Sequence, residues 1–295
     1  MITKKNVTIY TTNTSMPGIM NLPAVDSVSP AIVFTNGYCA YKEMYDSMAE
    51  AFCENGYVTL QYDNRGTAGS RRGFELCGTE WKDDINAAVS FIYGCPEVDK
   101  SRIGLAGVSM GGAMTLIQGS VDPRIKAVYA MAPYINAEHS YKSRFIKNIG
   151  EEGFNAFLQD CFDDAARTAH GFDAAFIPEN YSCYEGKERT EINQEEIVAR
   201  EKHPLKITSL PYASHLNKFL YVDALPACRN IKIPVLLTHG TKDKTLDFEE
   251  SVWLFDNIAS QDKKFVPIEG AGHVLPEVAE QESINYGLEW FDKYL

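Results

Sequence analysis

The sequence lacks the patterns that mark several large classes of protein. Its seven cysteines include no C-x-x-C pair, so neither a zinc knuckle nor a thioredoxin-like redox site is predicted. No P-loop, H-E-x-x-H motif or EF-hand loop occurs. Basic residues are scarce: 28 Lys and Arg stand against 40 Asp and Glu. The net charge of −12 argues against nucleic acid or an anionic membrane as the main partner.

Signals for export or membrane insertion are also missing. Met1–Tyr10 contains two lysines but lacks the apolar core of a signal peptide. The long uncharged stretch Ile103–Val121 contains five glycines, which fits a strand, a turn and a helix better than a membrane span. The odd number of scattered cysteines is typical of free thiols in a reducing compartment. We therefore expect a cytoplasmic protein with no membrane partner.

What the sequence does contain is an alternation of short apolar runs with amphipathic helical stripes. Strands are predicted at residues 7–12, 31–35, 57–62, 102–108, 125–131, 233–238 and 265–268. Helices are predicted around residues 44–52, 81–92, 110–121, 248–258 and 276–294. Strands that alternate with helices imply right-handed βαβ units, so the predicted fold class is α/β with a mostly parallel sheet.

The interval from about residue 136 to residue 215 interrupts this alternation. It is rich in aromatic residues, among them Phe172, Phe176 and Tyr181. An insertion of this size between two halves of a sheet predicts a helical cap at 136–215 on a core formed by 1–135 and 216–295. The aromatic rings would either line an apolar substrate pocket or form the core of the cap itself.

One motif points to nucleophilic catalysis. Gly107-Val-Ser-Met-Gly111 matches G-x-S-x-G, which is weak evidence alone because glycine is common. Its context strengthens it, since a predicted strand enters the motif and an amphipathic helix leaves it. A sharp strand-to-helix turn needs glycine on both sides so that Ser109 can adopt a strained conformation with its hydroxyl projecting. The alternative is a glycine-rich helix start capped by a serine.

A serine nucleophile needs a base, and the base needs an orienting carboxylate. Asp243 and His273 each follow a predicted strand, at the carboxyl ends where ligands bind in open α/β sheets. The chain order Ser, acid, His leaves His273 as the one histidine after Asp243. Asp247 remains an alternative acid, and His273 could instead be an ordinary loop histidine.

Four segments outside the G-x-S-x-G motif give the sequence a family resemblance. The chain resembles the α/β-hydrolase superfamily, and within it the dienelactone-hydrolase-like and X-Pro-peptidase-like bacterial serine hydrolases. The segments are Asn36-Gly-Tyr-Cys-Ala-Tyr-Lys-Glu43, Tyr62-Asp-Asn-Arg-Gly66, Val98-Asp-Lys-Ser-Arg-Ile-Gly104 and Asp122-Pro-Arg-Ile-Lys-Ala127. The resemblance implies an eight-stranded-type sheet with an inserted cap. It differs at Asn36, where many relatives have His, and at Ser109, where dienelactone hydrolases proper have Cys.

The resemblance also implies the roles of the site residues. Ser109, Asp243 and His273 correspond to nucleophile, acid and base. The oxyanion hole would consist of the backbone N–H groups of Met110 and of Tyr38 on the loop after the third strand. Two further motifs are given structural interpretations: Asp63–Gly66 as a turn held by local hydrogen bonds, and His239 with Gly240 as a structural pair.

These residues predict a serine hydrolase that works by acyl transfer and needs no metal or organic cofactor. A carboxylic ester of small to medium size is the expected substrate, and thioester or peptide hydrolysis is the alternative, because the same residues serve all acyl transfers. A second alternative is a non-catalytic ligand-binding or interaction module on this fold. Such modules usually lose a triad residue, and none is missing here. The oligomeric state is left open.

Overall fold

An eight-stranded sheet forms the centre of the molecule, in the order β1-β2-β4-β3-β5-β6-β7-β8. The computed structural model describes residues 2–25, 27–38, 40–65, 80–173, 175 and 222–295. The strands are β1 (Thr3–Tyr10), β2 (Ser15–Leu22), β3 (Ser29–Thr35), β4 (Val58–Tyr62), β5 (Val98–Val108), β6 (Ile125–Met131), β7 (Val235–Gly240) and β8 (Lys263–Ile268). Only β2 runs antiparallel to its neighbours, β1 and β4, and all other pairings are parallel. The predicted mostly parallel α/β sheet is confirmed.

Helices cover both faces of this sheet. They are α1 (Asp46–Glu54), α2 (Glu80–Gly94), α3 (Met110–Val121), α4 (Ser143–Ala169), α5 (Leu225–Asn230), α6 (Phe248–Asn257), α7 (Leu275–Val278) and α8 (Glu280–Tyr294). Strand β3 shows how the faces divide: Ala31 and Val33 join one apolar cluster, whereas Ile32 and Phe34 join the other. This two-residue period is what a strand buried on both faces requires. The first cluster includes α2 and α3, and the second includes α1 and α8.

One strand of the sheet was not predicted, and one predicted helix is divided in the structure. Strand β2 was not predicted, because Pro17 and Gly18 within it are typical of turns. Gly18 fits this strand because the space beside it is crowded. A Cβ at this position would lie only 3.1 Å from the carbonyl oxygen of Gln61 on the neighbouring strand. The predicted closing helix at 276–294 is divided into α7 and α8 at Ala279, whose φ of −141° is not helical.

The described part of the segment after β4 is held by residues distant in the chain, which the predicted local turn did not include. The Asp63 carboxylate accepts hydrogen bonds from the backbone N–H and the Nζ of Lys42, at 2.8 and 2.9 Å. The backbone N–H and the Nε of Arg65 donate to the two oxygens of Asp84, at 2.8 and 2.6 Å. All four side chains are mostly or fully buried, so these bonds anchor the end of β4 to α2 and to the loop after β3.

The chain leaves the sheet after β6 and returns just before α5, and these two points lie side by side. The backbone N–H of Ala224 donates to the carbonyl oxygen of Ile135 at 2.8 Å. Nearby, the Asn136 amide donates to Asp223 at 3.1 Å. The two ends of the insertion therefore meet at one place beside the sheet, and the cap itself stays a prediction.

The described part of this insertion consists mainly of α4, which bends at Gly150, where φ is +75°. Phe154 and Phe157 on α4 are buried in the same apolar cluster as α2 and α3, whereas Phe172 is 63% exposed. The rest of the predicted cap, residues 176–215 with Phe176 and Tyr181, lies outside the described residues. The boundaries of the cap remain a prediction.

Two other expectations bear on cellular context. Within the described ranges, no helix is both long and apolar enough to cross a bilayer. The cysteines there, Cys53, Cys95, Cys161 and Cys228, are free thiols. Burial raises the pKa of Cys161 and Cys228 to about 12, which keeps both thiols protonated and unreactive.

The buried Arg65–Asp84 ion pair should contribute to the stability of the fold. Asp84→Ala would leave the guanidinium, which is 2% exposed, without this carboxylate. We expect the free energy of unfolding to fall by about 3–5 kcal/mol in urea titrations of the full chain. The control is Asp83→Ala at the exposed adjacent position on α2, which should cost no more than about 1 kcal/mol. Equal losses in the two variants would contradict a structural role for the pair.

Candidate active site

Ser109 occupies a strained turn between β5 and α3. Its φ is +58° and its ψ −121°, a conformation that non-glycine residues adopt only when their surroundings enforce it. The flanking glycines explain how the turn fits. A Cβ on Gly107 would lie 2.1 Å from the hydroxyl of Thr35, and a Cβ on Gly111 would lie 2.1 Å from the Thr35 carbonyl oxygen. Any larger residue at either position would clash with the end of β3.

Backbone hydrogen bonds hold this turn in place. The N–H of Ser109 donates to the carbonyl oxygen of Met131 at 2.9 Å, and the Ser109 carbonyl accepts from the N–H of Tyr134 at 3.0 Å. Ala132, between these two partners, also has a positive φ, at +39°. The strained serine is thus bonded to an equally unusual backbone at the end of β6, while its own side chain is partly exposed.

Asp243 follows β7 with its side chain fully buried. Its Oδ1 accepts hydrogen bonds from the backbone N–H groups of Thr245 and Leu246, at 2.6 and 2.9 Å. Its Oδ2 lies 2.6 Å from Nδ1 of His273. Asp247, the alternative acid, is exposed at the start of α6. The structure therefore brings Asp243 and His273 together.

The loop that carries His273 depends on a close backbone approach. A Cβ on Gly240 would lie 2.3 Å from the carbonyl oxygen of Ala271 and 2.4 Å from that of Gly272, so only glycine lets this loop pack against the end of β7. His273 itself is 9% exposed. Because Nδ1 faces a carboxylate, Nδ1 carries the proton, and Nε2 of the neutral ring keeps its lone pair.

The charge state of Asp243 follows from its surroundings. Burial alone would raise the pKa of this carboxyl group. The electrostatic interaction with His273 and the hydrogen bonds from His239 and His273 outweigh that effect, and they hold the pKa of Asp243 well below its usual range. Asp243 is therefore a carboxylate throughout the neutral range.

The loop that contains Tyr38 is anchored on both sides. Before it, the Asn36 amide donates to the carbonyl oxygen of Tyr62 at 2.6 Å, and after it Lys42 is bonded to Asp63. A Cβ on Gly37 would lie 3.5 Å from the Cβ of Ser109, so this loop passes alongside the serine. Asn36, which replaces the His of many relatives, is a buried anchor of the loop.

Met110 offers a backbone N–H group at the start of a helix. It is the first residue of α3, and the N–H groups in the first turn of a helix have no carbonyl partner within that helix. A helix N-terminus also favours negative charge. This is the environment that an oxyanion requires, directly beside Ser109.

A further histidine, His239, which the sequence predicts to be structural, lies against Asp243. His239 is fully buried in β7, and its Nε2 lies 2.8 Å from the same Asp243 oxygen that faces His273. The available signal was spacing, because His239 precedes Asp243 by four residues. In the described part of the chain, no group of three or more His, Cys, Asp or Glu side chains is arranged to hold a metal ion.

Comparisons with known proteins agree with this fold. A family model described as serine aminopeptidase, S33, matches residues 26–279. The chain is 24% identical to polyketide transferase af380 of Aspergillus fumigatus over 275 residues, which is 90% of each protein. It is 33% identical to thiohydrolase apmlB of Arthrinium phaeospermum over 107 residues, which is 35% of each.

Solved structures give the same result. The α/β hydrolase GrgF of Penicillium sp. sh18 superposes with a TM-score of 0.80 at 20% identity, covering 99% of both chains. The Pyrococcus furiosus esterase PF2001 superposes with a TM-score of 0.66 at 20% identity, covering 99% of this chain and 91% of that one. The family match spans most of the sequence, so the chain belongs to the S33 serine aminopeptidase family of α/β hydrolases.

Proposed function

We propose that the protein is a serine hydrolase in which Ser109 is the nucleophile, His273 the general base and Asp243 the orienting acid. The observation that carries the proposal is the 2.6 Å contact between Nδ1 of His273 and the buried Asp243 carboxylate. This pair lies at the carboxyl end of the sheet, the edge at which β5 delivers Ser109 in a strained turn. Strain of this kind is retained at functional sites because it aims a side chain.

The mechanism follows from the assigned protons. Asp243 accepts a hydrogen bond from Nδ1–H of His273 and stays ionised, so Nε2 of His273 can take the proton of the Ser109 hydroxyl as its oxygen attacks a carbonyl carbon. The resulting oxyanion accepts hydrogen bonds from the N–H groups of Met110 and Tyr38. His273 then protonates the leaving group, and an acyl-enzyme remains. Water then gives a proton to His273 and attacks the acyl-enzyme. The carboxylic acid product leaves, and His273 returns the proton to the Ser109 oxygen.

A carboxylic ester is the substrate class that we favour. The similar fold of the Pyrococcus furiosus esterase supports it, and an ester needs less help from a general acid than an amide does. A thioester is the second candidate, because the relative with 33% identity is a thiohydrolase. Both substrates use the same acyl-enzyme chemistry.

The nucleophile can be tested by labelling. A fluorophosphonate should modify Ser109, as identified by mass spectrometry of the digested protein. Ser109→Ala should lower kcat by about 10⁴-fold or more, while circular dichroism and the melting temperature stay close to those of the wild type. The control is Ser120→Ala on α3, the helix that follows Ser109, which should keep full activity. Labelling at another serine, or an active Ser109→Ala variant, would contradict the assignment.

The acid can be tested by two matched substitutions. Asp243→Asn places an amide where His273 needs an acceptor, which favours the wrong imidazole tautomer and should lower kcat by about 10⁴-fold. Asp247→Asn changes an exposed residue and should leave kcat within a few-fold of the wild type. Steady-state kinetics on one ester decides between them, and the reverse ranking would make Asp247 the acid.

The substrate class can be tested with butyryl esters and thioesters, which share one acyl group, beside alanyl anilides. We expect butyryl esters and thioesters to be cleaved, and alanyl anilides to be cleaved at least about 100-fold more slowly relative to their spontaneous rates. Each rate is measured beside Ser109→Ala as the blank. A faster thioester would select the second candidate, and a faster anilide would indicate an aminopeptidase. If no compound turns over and no label is incorporated, the chain is a non-catalytic member of the family.

A further inference from the structure

A second buried imidazole contacts the acid of the proposed triad. Two histidines approach one oxygen, Oδ2 of Asp243: His273 at 2.6 Å and His239 at 2.8 Å. The proposed reaction gives a task to His273 only. His239 is fully buried in β7, so it is not accessible to a substrate.

The neighbours of His239 indicate which of its ring nitrogens carries a proton. Its Nε2 faces two acceptors, Oδ2 of Asp243 at 2.8 Å and the carbonyl oxygen of Leu246 at 3.2 Å, so Nε2 carries a proton. Its Nδ1 lies 2.6 Å from the hydroxyl of Ser251 on α6, which is 1% exposed. In the tautomer with the proton on Nε2, Nδ1 is an acceptor, so the Ser251 hydroxyl can donate to it and favour the tautomer that donates to Asp243.

We propose that His239, fixed by Ser251, is a positioning residue that aims the Asp243 carboxylate at His273. Two backbone N–H groups hold Oδ1, and the two imidazoles hold Oδ2. With four donors around it, the carboxylate cannot rotate about its terminal bond without breaking charge-assisted hydrogen bonds. Removal of the His239 donor leaves a buried carboxylate oxygen with one partner fewer and relaxes its orientation toward His273.

This inference rests on the proposed function, since the orientation of Asp243 affects turnover only if His273 is the base. The kinetic consequence is specific. Because His239 does not touch the substrate, its loss should reduce kcat and leave KM within about three-fold of the wild type. A hydrogen bond to a charged group corresponds to about a 10–100-fold effect, and that is the decrease in kcat that we expect.

Three substitutions of His239 separate a donor from a space filler. His239→Phe keeps an aromatic ring but removes both nitrogens. His239→Gln can place an amide N–H near the position of Nε2, whereas His239→Asn reaches only toward Ser251. We expect kcat to fall by about 10–100-fold in His239→Phe and His239→Asn, and to recover to within about five-fold in His239→Gln. Equal kcat values in the Gln and Asn variants would overturn the proposal.

Ser251 gives an independent test if a His239 variant fails to fold. Ser251→Ala removes the donor that selects the tautomer, so kcat should fall several-fold, and Ser251→Thr, which keeps the hydroxyl, should restore it. The matched control is Ser260→Ala, a buried serine whose hydroxyl bonds to the Asp262 carbonyl oxygen and not to His239. An unchanged kcat in Ser251→Ala would show that the tautomer does not depend on Ser251 and would overturn that part of the proposal.

A spectroscopic measurement separates this inference from the proposed function. The proton between Nδ1 of His273 and Asp243 should give a low-field proton resonance, identified by its loss in His273→Gln. His239→Phe should move this resonance, because the accepting oxygen loses its second donor. A resonance that does not move would overturn the inference, whether or not the enzyme turns over. Absent turnover and labelling in the wild type, by contrast, would overturn the proposed function itself.

Discussion

The close packing of the end of β3 against the start of α3 is the constraint on which the site depends. The Thr35 hydroxyl contacts the carbonyl oxygen of Gly111 at 2.9 Å and the hydroxyl of Thr115 at 2.7 Å. Tyr45 completes the packing, because its buried hydroxyl donates to the Thr35 carbonyl oxygen and accepts the N–H of Val108. With no room for side chains at Gly107 and Gly111, the chain can enter α3 only through a sharp turn. The positive φ of Ser109 is the consequence of that geometry.

The positions of Asp243 and His273 depend on close packing as well, but mainly on hydrogen bonds to a buried charge. Asp243 is a buried carboxylate, and such a group is tolerated only when each oxygen is hydrogen bonded. Its four donors come from its own loop, from β7 and from the loop after β8. The absence of a side chain at Gly240 lets the last of these loops approach. The buried charge of Asp243 must be compensated by hydrogen-bond donors, and this requirement determines where His273 lies.

The sequence predicts the parts of this architecture that come from periodic patterns and short motifs. The boundaries of β6 agree with the apolar run at 125–131, and the glycines of G-x-S-x-G predict a sharp turn that the steric environment of Ser109 explains. Contacts between residues distant in the chain were not predictable in this way. Asp63 and Arg65 resemble a local turn in sequence, yet their partners lie 21 and 19 residues away. Strand β2 contains Pro17 and Gly18, and only its position beside β1 and β4 makes these residues acceptable.

Similar proteins carry names for several different activities. Such a range would follow if the acyl-transfer residues are held rigidly while the residues around them vary. Relatives and structural neighbours of this chain include an esterase, a thiohydrolase and a polyketide transferase. In the mechanism proposed for this chain, one acyl-enzyme can form from an ester or a thioester and can pass its acyl group to water or to another acceptor. The residues assigned to the reaction lie on the sheet edge, whereas the predicted cap is attached where Ile135 and Ala224 meet. We expect substitutions within the predicted cap to change the substrate without disturbing the packing that strains Ser109 or the donors that hold Asp243.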